Sequence, residues 1–219
     1  MNSYAEENYL KVIYKLSTVE NRRVVTKSIA DRISTKPSSV TDMIKKLADK
    51  KLLRYEKYHG VKLTGKGELI AIDIIRKHRL WEEFLSQYLG FKWDEVHEIA
   101  EELEHINSVL LIEKLDNFLN YPKFDPHGDP IPDREGVFPI KESIPLSELQ
   151  RGDTGVVVGL VDKTAAFLKY LDELKIRIGS EIAVIQQVNF DQSVAIKVND
   201  WESHHISNKV SENILVRRK

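Results

Sequence analysis

The sequence of 219 residues predicts a mainly α protein with small β elements: an N-terminal winged helix-turn-helix, a helical middle segment and a C-terminal small β-barrel. Three observations predict it. Before residue 121, apolar residues recur at helical spacing. Six of the seven prolines then fall between Tyr121 and Pro145, in YPKFDPHGDPIPDREGVFPIKESIP, a density that no long helix or central strand accommodates. After this connector come the short apolar runs TGVVVGLV, SEIAVIQQV and SVAIKV, broken by Gly, Asn and Asp, which suit strands of a small barrel. The expected segments are residues 1–72, 73–140 (connector included) and 141–219.

A first helix is expected from about Ser3 to Val19, with Leu10, Ile13, Tyr14 and Leu16 as its apolar positions. Thr26 is expected to cap a short helix that buries Ile29 and Ile33, and it is grouped with the DNA-facing residues. The turn Ser34-Thr35-Lys36 follows, and Pro37 enters a second helix that Ser38 or a neighbour caps. In that helix, expected over about Ser38 to Lys50, Val40, Ile44, Leu47 and Ala48 make one buried stripe. Ser38, Ser39, Thr41, Asp42, Lys45 and Lys46 are left facing out. Two short helices with a tight turn and a small polar N-terminal face read as a helix-turn-helix. The continuation LLRYEKYHGVKLT alternates and turns at His59-Gly60, giving a hairpin wing whose Arg54, Lys57 and Lys62 can meet phosphates. Thr64 caps a long helix that stops at Gly90, and a further helix runs from about Asp94 to Ile106.

The net charge of −1 hides an asymmetry. Residues 1–72 carry 15 Lys and Arg against 8 Asp and Glu, residues 73–140 carry 7 against 15, and residues 141–219 carry 11 against 11. A basic block followed by an acidic one points to one segment that meets a polyanion and another that meets cations. There is no cysteine, so disulfides and thiolate metal sites are excluded. No stretch approaches the roughly 18 uncharged apolar residues of a membrane span. The start MNSYAEENYL lacks a signal-peptide pattern, so a cytoplasmic protein is expected.

Two helices carry a metal-type residue set. His78 and Glu82 stand one turn apart on the long helix. In WDEVHEIAEELEH, taken as one helix, His97, Glu101, Glu104 and His105 share an arc of roughly 100°. Imidazoles and carboxylates together suit divalent cations with nitrogen and oxygen ligands. A Glu-rich helix face is also often merely solvated, and spacing leaves both readings open. His59, His127, His204 and His205, in loops or near the terminus, are read as structural or solvent-facing.

In order and spacing, the strings EENYLKVIYKL, KPSSVTDMIKKLADKKLLRYEKYHGVKLTGKG, RKHRLWEEFL, VHEIAEELEH, PHGDPIP, RGDTGVVVGL and IRIGSEIAVI resemble the diphtheria toxin repressor family of iron- and manganese-dependent regulators. The last two are similar to the small barrel related to the iron-transport accessory protein FeoA. The resemblance implies two adjoining cation sites. His78, Glu82 and His97 match the ancillary one; Asn8, Glu101, Glu104 and His105 match the regulatory one. Position 8 is Met in iron-type members and Asp in manganese-type ones; Asn8 supplies a neutral amide oxygen. Lys11 stands where some manganese-only members have Glu. The stretch DKTAAFLKYLDE has Ala165, Ala166 and Phe167 where iron-type relatives lend polar ligands, with Asp162 or Thr164 as substitutes.

The implied function is a repressor of metal-uptake genes, a homodimer that binds double-stranded operator DNA when the Glu/His site is filled. The dimer interface is implied in the helices around residues 73–120. Glu101, where iron-type members have Cys, favours Mn(II), then Fe(II), with Co(II), Ni(II) or Zn(II) binding in vitro. Neither a membrane nor an organic substrate is expected as partner. Two other classes stand beside this reading: a winged-helix regulator with a non-metal effector, and a metallohydrolase. The hydrolase lacks support from any HExxH, nucleophile elbow or phosphate loop.

Overall fold

The computed structural model describes residues 2–19, 23–56, 60–199 and 202–219. These divide into two compact units: Met1–His78 with Glu101–Ile112 and Pro132–Phe138, and Arg79–Ala100 with Glu113–Ile131 and Pro139–Lys219.

In the first unit, α1 spans Tyr4–Tyr14 and continues as a π-helical turn over Lys15–Val19. Ser3 starts it through a capping box with Glu6. Next come α2 (Thr26–Ile33) and α3 (Pro37–Asp49), joined by a turn in which Ser34 is left-handed. Thr26 is the first residue of α2, not its cap. The cap position is Val25, whose N–H donates to Ser28 Oγ at 3.1 Å. Likewise Lys36, not Ser38, precedes α3, and Pro37 takes the first helical position, where its missing N–H costs nothing.

Strands β1 (Leu53–Glu56) and β2 (Gly60–Leu63) pair antiparallel, with Arg54 opposite Lys62. Lys57 and His59, expected at the tip of this wing, lie outside the described residues. Gly60 is left-handed, and a side chain there would collide with the Val24 carbonyl, which accepts from the Val61 N–H at 2.9 Å. Leu10, Ile13, Ile29, Val40, Leu47, Leu52 and Val61 form one buried core that fixes α3 and the hairpin together.

Thr64 Oγ1 accepts from the Gly67 N–H at 3.2 Å and so caps α4 (Gly65–Leu89), which begins in the first unit and ends in the second at left-handed Gly90. The next helix is shorter than expected. α5 covers only Val96–Leu103, and α6 covers Val109–Phe118.

The second unit carries a six-stranded sheet ordered β3-β8-β4-β5-β6-β7, from Ile144–Pro145 (β3), Thr154–Leu160 (β4), Glu181–Gln187 (β5), Val194–Val198 (β6), Glu202–Ile206 (β7) and Ile214–Arg218 (β8). Helices α7 (Ala165–Glu173) and α8 (Asn208–Glu212) lie between strands in sequence. This corrects the expectation of a closed barrel: β3 and β7 pair on one side only among the described residues, so the sheet keeps two edges. β-Bulges at Val157/Gly159 and Val184/Gln186 bend it around a core of Leu146, Val157, Leu168, Leu171, Ile182, Ile196 and Val216.

Candidate metal centre and nucleic-acid interface

The buried stripe of α3 turns Ser38, Ser39, Thr41, Asp42, Lys45 and Lys46 to solvent, and Arg54 and Lys62 on the hairpin are exposed as well. Thr41 donates its hydroxyl proton to the Pro37 carbonyl at 3.0 Å, which leaves its methyl group and lone pairs outward. The lysines are not all equivalent. Lys45 is loosely paired with Asp42 at 3.8 Å, both exposed. Lys46 and Lys50 instead reach back to the buried Glu6 of α1, at 3.1 and 2.7 Å. Burial pushes the Glu6 carboxyl up, but Lys50, the Ser3 N–H and Lys46 together outweigh it and hold the group at about 2.

The sign of that shift sets a pH window. Because Glu6 is depressed from 4.5 to about 2, its stabilisation is present above about pH 4.5 and is lost as the pH falls toward 2. Glu6→Gln is therefore expected to be less stable at neutral pH and to lose less on acidification. Urea melts between pH 3 and 7 check it; parallel curves for the two proteins would exclude this role for Glu6. Removing Lys45 and Lys46 together should flatten the salt dependence of DNA binding by about one unit of slope per lost phosphate contact. An unchanged slope in gel-shift titrations would place those lysines off the DNA.

Still in the first unit, α1 presents Glu7, Asn8 and Lys11, three and four residues apart, to the segment after α5. Because α5 ends at Leu103, Glu104 and His105 sit in the following turn instead of on the helix face expected for them, and both are buried. His105 Nδ1 lies 2.7 Å from Glu7 Oε2, and its ring stacks on Tyr4 with centroids 4.6 Å apart. Glu104 has no exposed surface. Its Oε2 is 2.7 Å from His78 Nδ1 and its Oε1 is 2.5 Å from the Lys11 ammonium, which also reaches Glu101 Oε1 at 3.3 Å. Burial pushes the Glu104 carboxyl up, but the His78 hydrogen bond and Lys11 prevail and hold it below its usual range. Asn8 Oδ1 is a buried acceptor without a hydrogen-bond partner. An orphaned amide oxygen on α1, next in sequence to Glu7 and one turn before Lys11, fits a divalent cation with oxygen and nitrogen ligands.

Glu7 was not among the sequence-predicted ligands; its place next to Asn8, one turn before Lys11, is the signal that was available. His78, expected one turn from Glu82 on α4, also lies with its Nδ1 2.7 Å from Glu104 Oε2.

In the second unit, Glu82 Oε1 lies 3.2 Å from His97 Nδ1, and His97 is half-exposed. Glu82, Asp125 and His127, all buried, form a group whose ligand atoms lie within 4.8 Å of one another. His127 Nε2 meets the Trp93 carbonyl at 2.7 Å, and Asp125 Oδ1 accepts from the N–H groups of His127 and Asp129 at 2.8 and 2.9 Å. Burial alone would lower His127, but the Glu82 hydrogen bond and the charges of Glu82 and Asp125 raise it to about 9. Asp125 is pushed up to about 7 by burial and by the charges of Asp129 and Glu82. The sequence reads His127 as structural or solvent-facing and gives no signal for Asp125, since neither sits in a periodic element. In the last segment, Asp162 Oδ1 accepts from the Thr164 N–H at 2.8 Å, and Thr164 caps α7.

Family models match nearly the whole chain in three consecutive pieces. They are the N-terminal DNA binding domain of iron dependent repressors over residues 2–61, the metal binding and dimerisation domain of the same repressors over 64–133, and a FeoA domain over 144–218. The iron-dependent repressor IdeR of Mycobacterium tuberculosis is 36% identical over 126 residues, 58% of this chain and 54% of that protein. The chain thus spans about half the length of such curated relatives. The transcriptional regulator MntR of Oceanobacillus iheyensis is 37% identical over 119 residues, 54% of this chain and 80% of that protein. A solved manganese-dependent transcriptional repressor in complex with manganese superposes with a TM-score of 0.88 at 33% identity, covering 98% of this chain and 100% of that one. The chain belongs to the diphtheria toxin repressor family. Within that family it has the three-part layout, and both iron- and manganese-dependent regulators stand among its relatives. No described helix is long and apolar enough to cross a membrane.

Proposed function

We propose that this family member is a metal-dependent transcriptional repressor, a homodimer that binds double-stranded operator DNA when Mn(II) occupies the site at Asn8, Glu101, Glu104 and His105. The reading assigns residues 1–72 to DNA, 73–140 to cations and dimerisation, and 141–219 to the FeoA-like part. The observation that carries it is the buried cluster between α1 and the turn after α5, together with the unpartnered oxygen of Asn8 on the same helix as Glu7 and Lys11. Glu7 and His78 join that cluster as orienting groups. A divalent cation held there would supply the positive charge that couples Asn8 of α1 to the carboxylates of Glu101 and Glu104.

The chain's own residues carry that coupling onward. One side of α1 holds Glu7, Asn8 and Lys11 against residues 101–105. Glu6, on the same helix, is salt-bridged to Lys46 and Lys50 of α3. Any change in where α1 rests therefore reaches the recognition helix through Glu6. In α3, Ser38, Ser39, Thr41 and Asp42 approach base edges or a thymine methyl, while Lys45, Lys46 and, on the hairpin, Arg54 hold phosphates; Lys57, outside the described residues, is assigned the same role from the sequence. Thr26, at the start of α2, stands with the phosphate-positioning set. Exposed Val109, Leu110 and Leu111 on α6 supply apolar surface for the dimer.

Manganese is favoured because the donor set holds only oxygen and nitrogen; Fe(II) is next, and Co(II), Ni(II) or Zn(II) bind more tightly in vitro by the Irving–Williams order. A similar solved protein, ScaR, has been seen with bound Cd2+ and Zn2+. Glu82, Asp125 and His127, with His97 beside Glu82, make a second cation position. The test is a gel shift with operator fragments in chelator and in graded MnCl2, for wild type and Asn8→Asp. Operator binding is expected only with metal, and Asn8→Asp, which adds a carboxylate, is expected to respond at lower Mn(II). Metal-independent binding would refute the reading, and an identical threshold would remove Asn8 from the ligand set.

A further inference from the structure

Lys11 places its ammonium inside the proposed regulatory cluster. It is 5% exposed, 2.5 Å from the fully buried Glu104 Oε1 and 3.3 Å from Glu101 Oε1. Both carboxylates are in the proposed ligand set, and the ammonium already holds one oxygen of each. The neighbouring charges explain why the lysine rests there. Glu7, Glu101 and Glu104 place three carboxylates around α1, two of them almost without solvent, and buried carboxylates left without a counter-charge are strongly unfavourable. A second positive centre on the same Glu104 oxygen would be repelled at close range, where the interior screens poorly. The long stem of Lys11 allows the ammonium to be withdrawn when another cation takes its place.

From this geometry we infer that Lys11 is a tethered competitor for the regulatory site and a determinant of its specificity: it sets the metal concentration at which the site fills and limits it to a single divalent ion. In the metal-free protein Lys11 neutralises Glu104. Filling the site exchanges that ion pair for metal ligation, so the net gain is the difference between the two. A carboxylate at position 11 would add a ligand; a lysine there withholds one and adds a charge that opposes a second ion. The inference rests on the proposed metal site.

The experiment is isothermal titration of the full-length protein with MnCl2, for wild type, Lys11→Met and Lys11→Arg, with thermal melts in chelator alongside. Glu104→Gln identifies which binding step belongs to this site. Lys11→Met is expected to lower the Kd of that step about tenfold or more, equivalent to about 1.4 kcal/mol. It should also lower the melting temperature in chelator, because Glu104 loses its counter-charge. Lys11→Arg keeps the charge and is expected to stay near the wild-type Kd. Should Lys11→Met fail to fold without metal, Lys11→Gln keeps a hydrogen-bond donor for Glu104 and is expected to show the same tightening. A merely structural lysine would change the melts but leave the Kd unchanged or weaker, and that result in both neutral variants overturns the inference while the metal site stands. If wild type and variants alike show no Mn(II) step sensitive to Glu104→Gln, the site assignment falls, and the inference with it.

Discussion

Glu104→Gln is expected to remain folded and to lose metal-activated operator binding by about 100-fold or more, beyond the 10–100-fold typical of a perturbed outer-shell partner. Glu104 holds the centre of the cluster, with Lys11 on one oxygen, His78 on the other and His105 Nε2 at 3.7 Å. The amide keeps volume and one acceptor but removes the charge a cation needs. Glu104→Ala goes further, since it strands a buried ammonium, and breaking a buried pair in that way costs about 3–5 kcal/mol. Comparing the two separates ligation from folding. Gel shifts in graded MnCl2, with circular dichroism as the folding control, decide it. A wild-type metal threshold in Glu104→Gln would show that the centre of the site lies elsewhere.

Leu47→Ala is expected to lower unfolding stability by about 2–5 kcal/mol, the usual range for a leucine removed from a well-packed core. Leu47 is wholly buried in α3, in the core that also holds Leu10 of α1 and Leu52 at the foot of the hairpin. A domain of ordinary stability, about 5–15 kcal/mol, keeps little margin after such a loss. Operator binding should therefore fail on warming well before that of wild type, and excess Mn(II) should not restore it. Ser39→Ala, on the exposed face of the same helix, is the contrast: stability within about 0.5 kcal/mol of wild type, but weaker operator binding. Denaturant melts and gel shifts on the pair check both. A Leu47→Ala protein as stable as wild type would mean that α3 is not anchored by this core.

The features legible in residue order alone follow from short-range rules. The stripe Val40, Ile44, Leu47 could satisfy only a helix with one buried face, so the outward set from Ser38 to Lys46 followed by geometry. Pro37 marked an entry because its ring fixes φ and its missing N–H costs nothing in the first turn, and Gly90 an exit because without a Cβ it takes the left-handed conformation at no steric cost. Residue types at 101, 104 and 105 announced nitrogen and oxygen ligands for the same reason: the chemistry is in the side chain. Tertiary structure decided where those side chains point. α5 stops at Leu103, two residues before the periodic pattern does, so Glu104 and His105 take their directions from a turn that periodicity cannot see. Lys11 is a substitution in the sequence pattern, and only when residues 101–104, some ninety positions later, close over it does its ammonium become the counter-ion of a buried carboxylate. Asp125 and His127 lie in an aperiodic Pro-Gly connector, where no repeat links them to Glu82 on α4; only the folded chain brings the three together. The sheet kept open edges for a similar reason. Alternation marks a strand and its buried face, but closure depends on which distant strands pair, and β3 and β7 do not.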